Sequence, residues 1–262
     1  MHLHQPDQIR YYTFEIFETL PVVQAIFTRQ GGVSPEPWAS LNTGSLVGDE
    51  PANVLENRRR SFEVMGRSTE SMYDVWQVHG IEVVCADSPR PVDIPHLRAD
   101  AILTDRPEVT LFMRFADCVP IFLYDPRKKV VGLVHAGWQG TVKYTAAYAV
   151  EAMRQRYRCD PQDILAGIGP SIGPHHYEIG QEVADQVRQA FGQDVSGLLH
   201  SDNGFGVQFD LWNANRLVLE KAGVRQIEVS EICTACHLSE WYSHRGERGR
   251  TGRFGALMAL KP

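Results

Sequence analysis

Two runs of β-branched and aromatic residues, Val119 to Tyr124 and Val130 to Val134, lie on either side of the polar tetrapeptide Asp125-Pro-Arg-Lys. Pro at the second position of that tetrapeptide suits a tight turn, so the pattern predicts a β-hairpin. A turn centred between Pro126 and Arg127 sets Tyr124 opposite Lys129, Leu123 opposite Val130 and Cys118 opposite His135. Opposed residues share a face of the sheet with Cβ atoms about 5 Å apart, so this register predicts that a thiol and an imidazole meet.

The same reading extends along the chain. Tyr11 to Glu18 and Val22 to Thr28 predict an opening strand pair around Leu20-Pro21, and Asp100 to Leu103 and Val109 to Phe115 predict further strands. Asp49-Glu-Pro51 predicts a helix start, and Val54, Arg58, Phe62 and Met65 then share one helical face. An Arg on an apolar face needs an ion-pair partner or an anion. Ala136-Gly-Trp-Gln-Gly140 turns into a helix expected from Thr141 to about Tyr157, with Val142, Ala146, Ala149, Val150 and Met153 as its apolar stripe. The start of that helix, just after His135, would offer backbone N–H groups to phosphate. Ile164 to Ile168 predicts a buried strand, Gly180 to Phe191 and Leu211 to Ala222 predict helices, the second capped by Asp210, and Gln226 to Ile232, Trp241 to His244 and Arg253 to Leu260 predict strands. Thr28-Arg-Gln-Gly-Gly-Val-Ser34, Ser34 to Leu46 and Gly169 to Gly180 are loops rich in Gly and Pro.

Composition narrows the function. A net charge of −6 over 262 residues, with only short basic runs, argues against a nucleic-acid surface. No apolar stretch reaches the roughly 18 to 20 residues a membrane span requires, and the first residues have neither the basic start nor the apolar core of a signal peptide. The expectation is a cytoplasmic protein whose five cysteines remain reduced. With 43% hydrophobic residues the chain can form a substantial core, and one domain over residues 1–262 is expected, with residues 1–10 as a flexible tail.

Chemistry concentrates at the hairpin. Trp76-Gln-Val-His79-Gly80 supplies a third soft ligand, and His79, Cys118 and His135 together form a plausible open zinc site of three protein ligands plus water. Asp117, beside Cys118, is the candidate base or supporting carboxylate. Cys118 and His135 alone could equally act as nucleophile and base of a metal-free hydrolase. Cys233-Thr-Ala-Cys236-His237 resembles half of a metal site, with no second pair of cysteines to complete it.

These residues also carry a resemblance. Thr28-Arg-x-Gly-Gly-Val-Ser, Ser40-Leu-Asn, Glu56-Asn-Arg-Arg-Arg, Gln77-Val-His-Gly, Ala116-Asp-Cys-Val-Pro-Ile, His135-Ala-Gly-Trp-x-Gly-Thr, Ile168-Gly-Pro-x-Ile-Gly and Thr251-Gly-Arg resemble, in order, the motifs of YfiH-like proteins, also called the laccase-domain or polyphenol oxidase family. The resemblance implies an α/β (α+β) fold, a single α/β/β/α sandwich domain with mixed β-sheets, and zinc on His79, Cys118 and His135. It implies phosphorolysis of adenosine, inosine and methylthioadenosine, with adenosine deamination in addition. The partners are then purine nucleosides and inorganic phosphate, with no nucleic acid or membrane, and the chain acts as a monomer. Asp117 and Arg58 become the catalytic candidates, and Arg29, Asn42, Gln77, Gln139, Thr141 and Arg245 the candidates for holding substrate and phosphate. Two positions depart from the family pattern: Gln139 replaces the Arg of His-Ala-Gly-Trp-Arg-Gly, and His175-His176 replaces a frequent Cys-Cys. The alternative reading, copper-dependent phenol oxidation, needs several His-x-His pairs, and His2-Leu-His4 is the one such pair present.

Overall fold

Alternation along the hairpin separates the layers of the fold. In the computed structural model, which describes residues 1–202 and 205–261, strands Val119–Asp125 and Val130–Ala136 are antiparallel neighbours at the centre of a six-stranded sheet. Val119, Ile121, Leu123, Val130 and Val134 face a helical layer, whereas Phe122, Tyr124, Val131 and Leu133 face a second sheet. Both faces are buried, which is why the two runs read as continuous apolar stretches.

The first sheet runs Gln226–Val229, Leu165–Ile168, Val119–Asp125, Val130–Ala136, Ala101–Thr104, Val83–Cys85, with parallel pairs at both edges. The second runs His2–His4, Tyr11–Thr13, Val22–Phe27, Phe254–Leu260, Thr110–Phe115, Met72–Tyr73. Phe14, Ile26, Leu111, Met113, Phe115, Phe254 and Met258 fill the space between the sheets. Helices Thr145–Tyr157, Gln181–Phe191 and Leu211–Lys221 cover the outer face of the first sheet, and Asp210 caps the last of them by accepting from the Asn213 N–H. Helix Pro51–Val64 covers the second sheet through Phe62, which packs on Phe112 and Leu257. The result is the expected α/β/β/α sandwich with mixed sheets. A small third sheet joins Glu178–Ile179, Phe205–Phe209 and Leu199–Asp202. No helix among the described residues is long and apolar enough to cross a membrane.

Several local expectations are corrected. The hairpin register is offset by two: Tyr124 faces Val131 and Pro120 faces His135. Asp125 belongs to the strand, and its carboxylate accepts from the N–H groups of Arg127 and Lys128, stabilising a four-residue loop that Lys129 closes at φ 54°. Because side chains alternate with period two, an even offset leaves Cys118 and His135 on one face. Residues 1–10, expected as a flexible tail, include strand His2–His4, paired with Tyr11–Thr13. The opening strand stops at Thr13 because the Gln24 side chain bonds both the N–H and the C=O of Phe14, where a neighbouring strand would otherwise bond. Trp241 to His244 is fitted between layers without strand pairing, its two aromatic rings fully buried.

The helix expected from Thr141 is two helices. Trp138–Val142 spans five residues, Tyr144 adopts a left-handed conformation at φ 62°, and Thr145–Tyr157 starts afresh. The Thr145 hydroxyl bonds Gly80 O at 2.7 Å and Gly140 O at 3.0 Å, so the break is tied to the loop that carries His79. A single turn of helix has too few aligned peptides for the dipole that a phosphate site at its start would need.

Candidate metal centre

His135 sits at the end of a central strand, Cys118 immediately before its partner strand, and His79 in a loop at φ 58°. Their donor atoms lie within 4.8 Å of one another, and Cys118 Sγ is 3.7 Å from His79 Nε2. Bond lengths of about 2.0 Å to nitrogen and 2.3 Å to sulfur set neighbouring ligands of a tetrahedral zinc roughly 3.5 Å apart, so the spacing fits one ion.

A carboxylate that sequence reasoning missed holds this arrangement. Asp100 is fully buried and accepts from His135 Nδ1 at 2.8 Å and from three successive backbone N–H groups, Val78 at 3.1 Å, His79 at 3.0 Å and Gly80 at 2.7 Å. The bond to Nδ1 directs His135 Nε2 toward Cys118, the arrangement in which a carboxylate orients a metal-bound imidazole. Burial alone would raise the Asp100 pKa, but His135 and the Gly80 and Val78 N–H groups outweigh it and lower the value. The available signal was an Asp at the start of a predicted strand flanking the His135 strand.

Electrostatics favour the thiolate of Cys118 and the protonated ring of His135. Burial would raise the Cys118 thiol, yet His135 and His79 bring it down to about 6. Burial would lower His135, yet Cys118 and Asp100 raise it to about 9. The two groups thus shift each other toward thiolate and imidazolium. A cation binding there displaces the imidazolium proton and keeps the thiolate.

His79 and Cys118 open onto a cavity of about 140 Å³, lined also by Asp117, Gly137, Trp138, Gln139, Ile172, Tyr177 and Leu211. Gly137 is needed there: a Cβ would stand 2.9 Å from Cys118 Sγ and 3.0 Å from His79 Cδ2. Gln139 lines the wall. Asp117 also lines it, but its carboxylate accepts from the Thr234 hydroxyl at 2.6 Å and the Arg245 N–H at 2.7 Å, and so ties two distant loops to the site. Arg245 stacks on Tyr177 with 5.2 Å to the ring centroid and bonds Glu178 O.

The other candidates are engaged elsewhere. Arg29 bonds Ala39 O and Leu238 O, pairs with Glu247 at 2.9 Å and stacks on Tyr242, beside a separate cavity that also holds Glu36. Arg58 donates twice to Thr43 O and does not line the metal-site cavity; burial first, then Arg114 nearby, lowers its pKa to about 10. Asn42 is fully buried, bonding Gly44, Asp49 and the Arg253 N–H. Gln77 clasps the N–H and C=O of Arg114. Thr141 bonds Gly137 O and Asn215. Arg253, named only within a motif, feels the charges of the site: burial lowers its pKa and Cys118 and Asp117 oppose that lowering, while its guanidinium donates to Thr251 O and Gly252 O.

The family model described as "Multi-copper polyphenol oxidoreductase laccase" matches residues 23–261. "Purine nucleoside phosphorylase YlmD" of Bacillus subtilis is 38% identical over 250 residues, covering 92% of this chain and 89% of that protein. "Purine nucleoside phosphorylase" of Deinococcus radiodurans is 38% identical over 245 residues, covering 92% and 90%. The crystal structure of YlmD from Geobacillus stearothermophilus superposes with a TM-score of 0.91 at 35% identity over 99% of this chain and 98% of that one. That of Bacillus licheniformis hypothetical protein YfiH gives 0.91 at 33%, covering 99% of both.

Proposed function

Because the chain belongs to this laccase-like (YfiH) family, we propose that it is a zinc-dependent purine nucleoside phosphorylase acting on adenosine, inosine and methylthioadenosine, with adenosine deamination as a second activity. The observation that carries the reading is the His79, Cys118 and His135 donor set, of which His79 and Cys118 line a small cavity. Relatives of similar length bear the phosphorylase name. In phosphorolysis a phosphate oxygen bonds C1′ as the glycosidic C–N bond breaks and the base leaves with the electron pair. His79, Cys118 and His135 would hold the zinc ion, which when bound would supply a Lewis acid.

The residues of the chain then divide the work. A cavity of about 140 Å³ is smaller than the roughly 300 Å³ at which small-molecule pockets begin, so it takes the reacting end of the substrate and leaves the base toward the opening. Tyr177, Trp138, Ile172 and Leu211 exclude water from that end. Arg253, which feels the charges of Cys118 and Asp117, and Arg245, stacked on the cavity-lining Tyr177, join Arg29 and Arg58 as candidate cations for phosphate and are favoured over them. Asp117, with both oxygens occupied, positions the Thr234 and Arg245 loops.

Incubation of adenosine or inosine with inorganic phosphate tests the proposal. Free base and ribose 1-phosphate should accumulate at a rate that saturates with phosphate. Base release undiminished without phosphate would mean hydrolysis, and phosphate-independent ammonia release would leave deamination as the main activity. A second reading has its own support: Asp100, His135 and Cys118 line up as orienting group, base and thiolate, the order found in cysteine hydrolases. Elemental analysis separates the two, since a hydrolase nucleophile is metal-free. Oxygen uptake on phenols that requires copper would support the oxidase function.

A further inference from the structure

We propose that His175, His176, Cys233 and Cys236 form a second metal site, a closed four-ligand zinc centre that braces the wall of the cavity. The half-site seen in the sequence, Cys233-Thr-Ala-Cys236, is completed by two histidines nearly 60 positions earlier, and the four donor atoms lie within 4.8 Å of one another. His175 Nε2 is 3.0 Å from Cys236 Sγ, and His176 Nδ1 is 3.5 Å from each sulfur. These separations bracket the roughly 3.5 Å of a tetrahedral zinc shell.

The backbone around the cluster is shaped for it. Pro174–His176 is a single 3-10 turn that points both imidazoles at the sulfurs, and the Gly173 N–H donates to Cys233 Sγ at 3.2 Å, a bond that stabilises a thiolate. A Cβ on Gly173 would lie 2.7 Å from His175 Cε1 and 3.1 Å from Cys233 Cβ, so the loop can approach this closely only with glycine there. Two thiolates and two imidazoles are a soft donor set that selects zinc over magnesium or calcium. Four protein ligands leave no open position, so this ion would act structurally.

The site lies where bracing has an effect. The segment between its histidines and the first sheet carries Ile172, Tyr177 follows the histidines, and both line the cavity. On the other arm Thr234, next to Cys233, bonds Asp117. The ion would lock two loops to each other and, through them, to the wall around Cys118.

The full chain, expressed with zinc and dialysed, should hold about two zinc ions. The His79→Ala/Cys118→Ser variant should retain about one, His176→Asn/Cys236→Ser should lose about one, and the fourfold variant should hold none. Zinc added back to the stripped His79→Ala/Cys118→Ser protein should raise its Tm and protect Cys233 and Cys236 from alkylation. The proposal is overturned if that variant binds no zinc, if His176→Asn/Cys236→Ser keeps the wild-type content, or if Cys233 and Cys236 are found joined in a disulfide whose reduction restores no zinc binding. Should the second variant not fold, equal alkylation of Cys233 and Cys236 in wild-type protein with and without zinc would overturn it as well.

Discussion

The two donor clusters of this protein differ in what holds them. His79, Cys118 and His135 number three: two stand at the ends of the central hairpin strands, and one buried carboxylate holds both the His135 ring and the loop of His79. His175, His176, Cys233 and Cys236 number four and come from two loops, and three of the four are exposed. A site that must present an open position needs its ligands fixed by the scaffold, because the missing ligand cannot help to fix them. A site with four ligands can be held by the ion, which is why loops suffice.

The largest test of that contrast is Asp100→Asn. Removing a fully buried charge that holds His135 and three N–H groups should cost about 3–5 kcal/mol of stability. Metal affinity at the three-donor site should fall about 10–100-fold. Denaturant unfolding and zinc competition would measure both, while zinc at the four-donor cluster should be unchanged. Equal losses at both clusters would mean that the scaffold is shared. Gly137→Ala should come next: its Cβ would crowd Cys118 Sγ at 2.9 Å, and a strain of about 1–3 kcal/mol should appear as a roughly tenfold or greater loss of zinc affinity or kcat at the open site.

How much of this was legible in the sequence follows the range of each interaction. The hairpin, the covering helices and the grouping of the three donors depend on local alternation and on residue type, and could be read. The register could not, because Asp125 folds its side chain onto the loop instead of entering the turn. The sequence marks Arg29 as a candidate for holding phosphate and does not reveal Glu247, 218 positions away, which pairs with it. The four-donor cluster was half visible for the same reason: its two arms are about 60 positions apart and meet only through the pairing of the loops around Ser171 and Cys233.

Smaller effects sharpen the comparison at the level of single charges. Arg253→Ala should raise the phosphate KM about 10–100-fold, the loss expected for a charge-assisted hydrogen bond, and Arg245→Ala should raise it less. Arg29→Ala should leave it unchanged, in steady-state assays at saturating nucleoside. The smallest effect is a shift in reactivity. In metal-free protein Cys118 should be alkylated with a midpoint near pH 6, below the ordinary thiol value of about 8.5. Burial and Cys233 raise Cys236, so it should react only at higher pH. Peptide mapping across a pH series would read both midpoints, and coincident midpoints would remove the electrostatic distinction between the clusters.

Asp100 has one more consequence. It grips the loop of His79 and the ring of His135 with the same two oxygens, so two of the three donors cannot be adjusted independently. The coordination geometry has in effect one dial. Asp100→Glu, longer by a methylene, would shift both imidazoles relative to Cys118 in a single step, and metal preference in this fold could therefore be retuned at a position that never touches the ion.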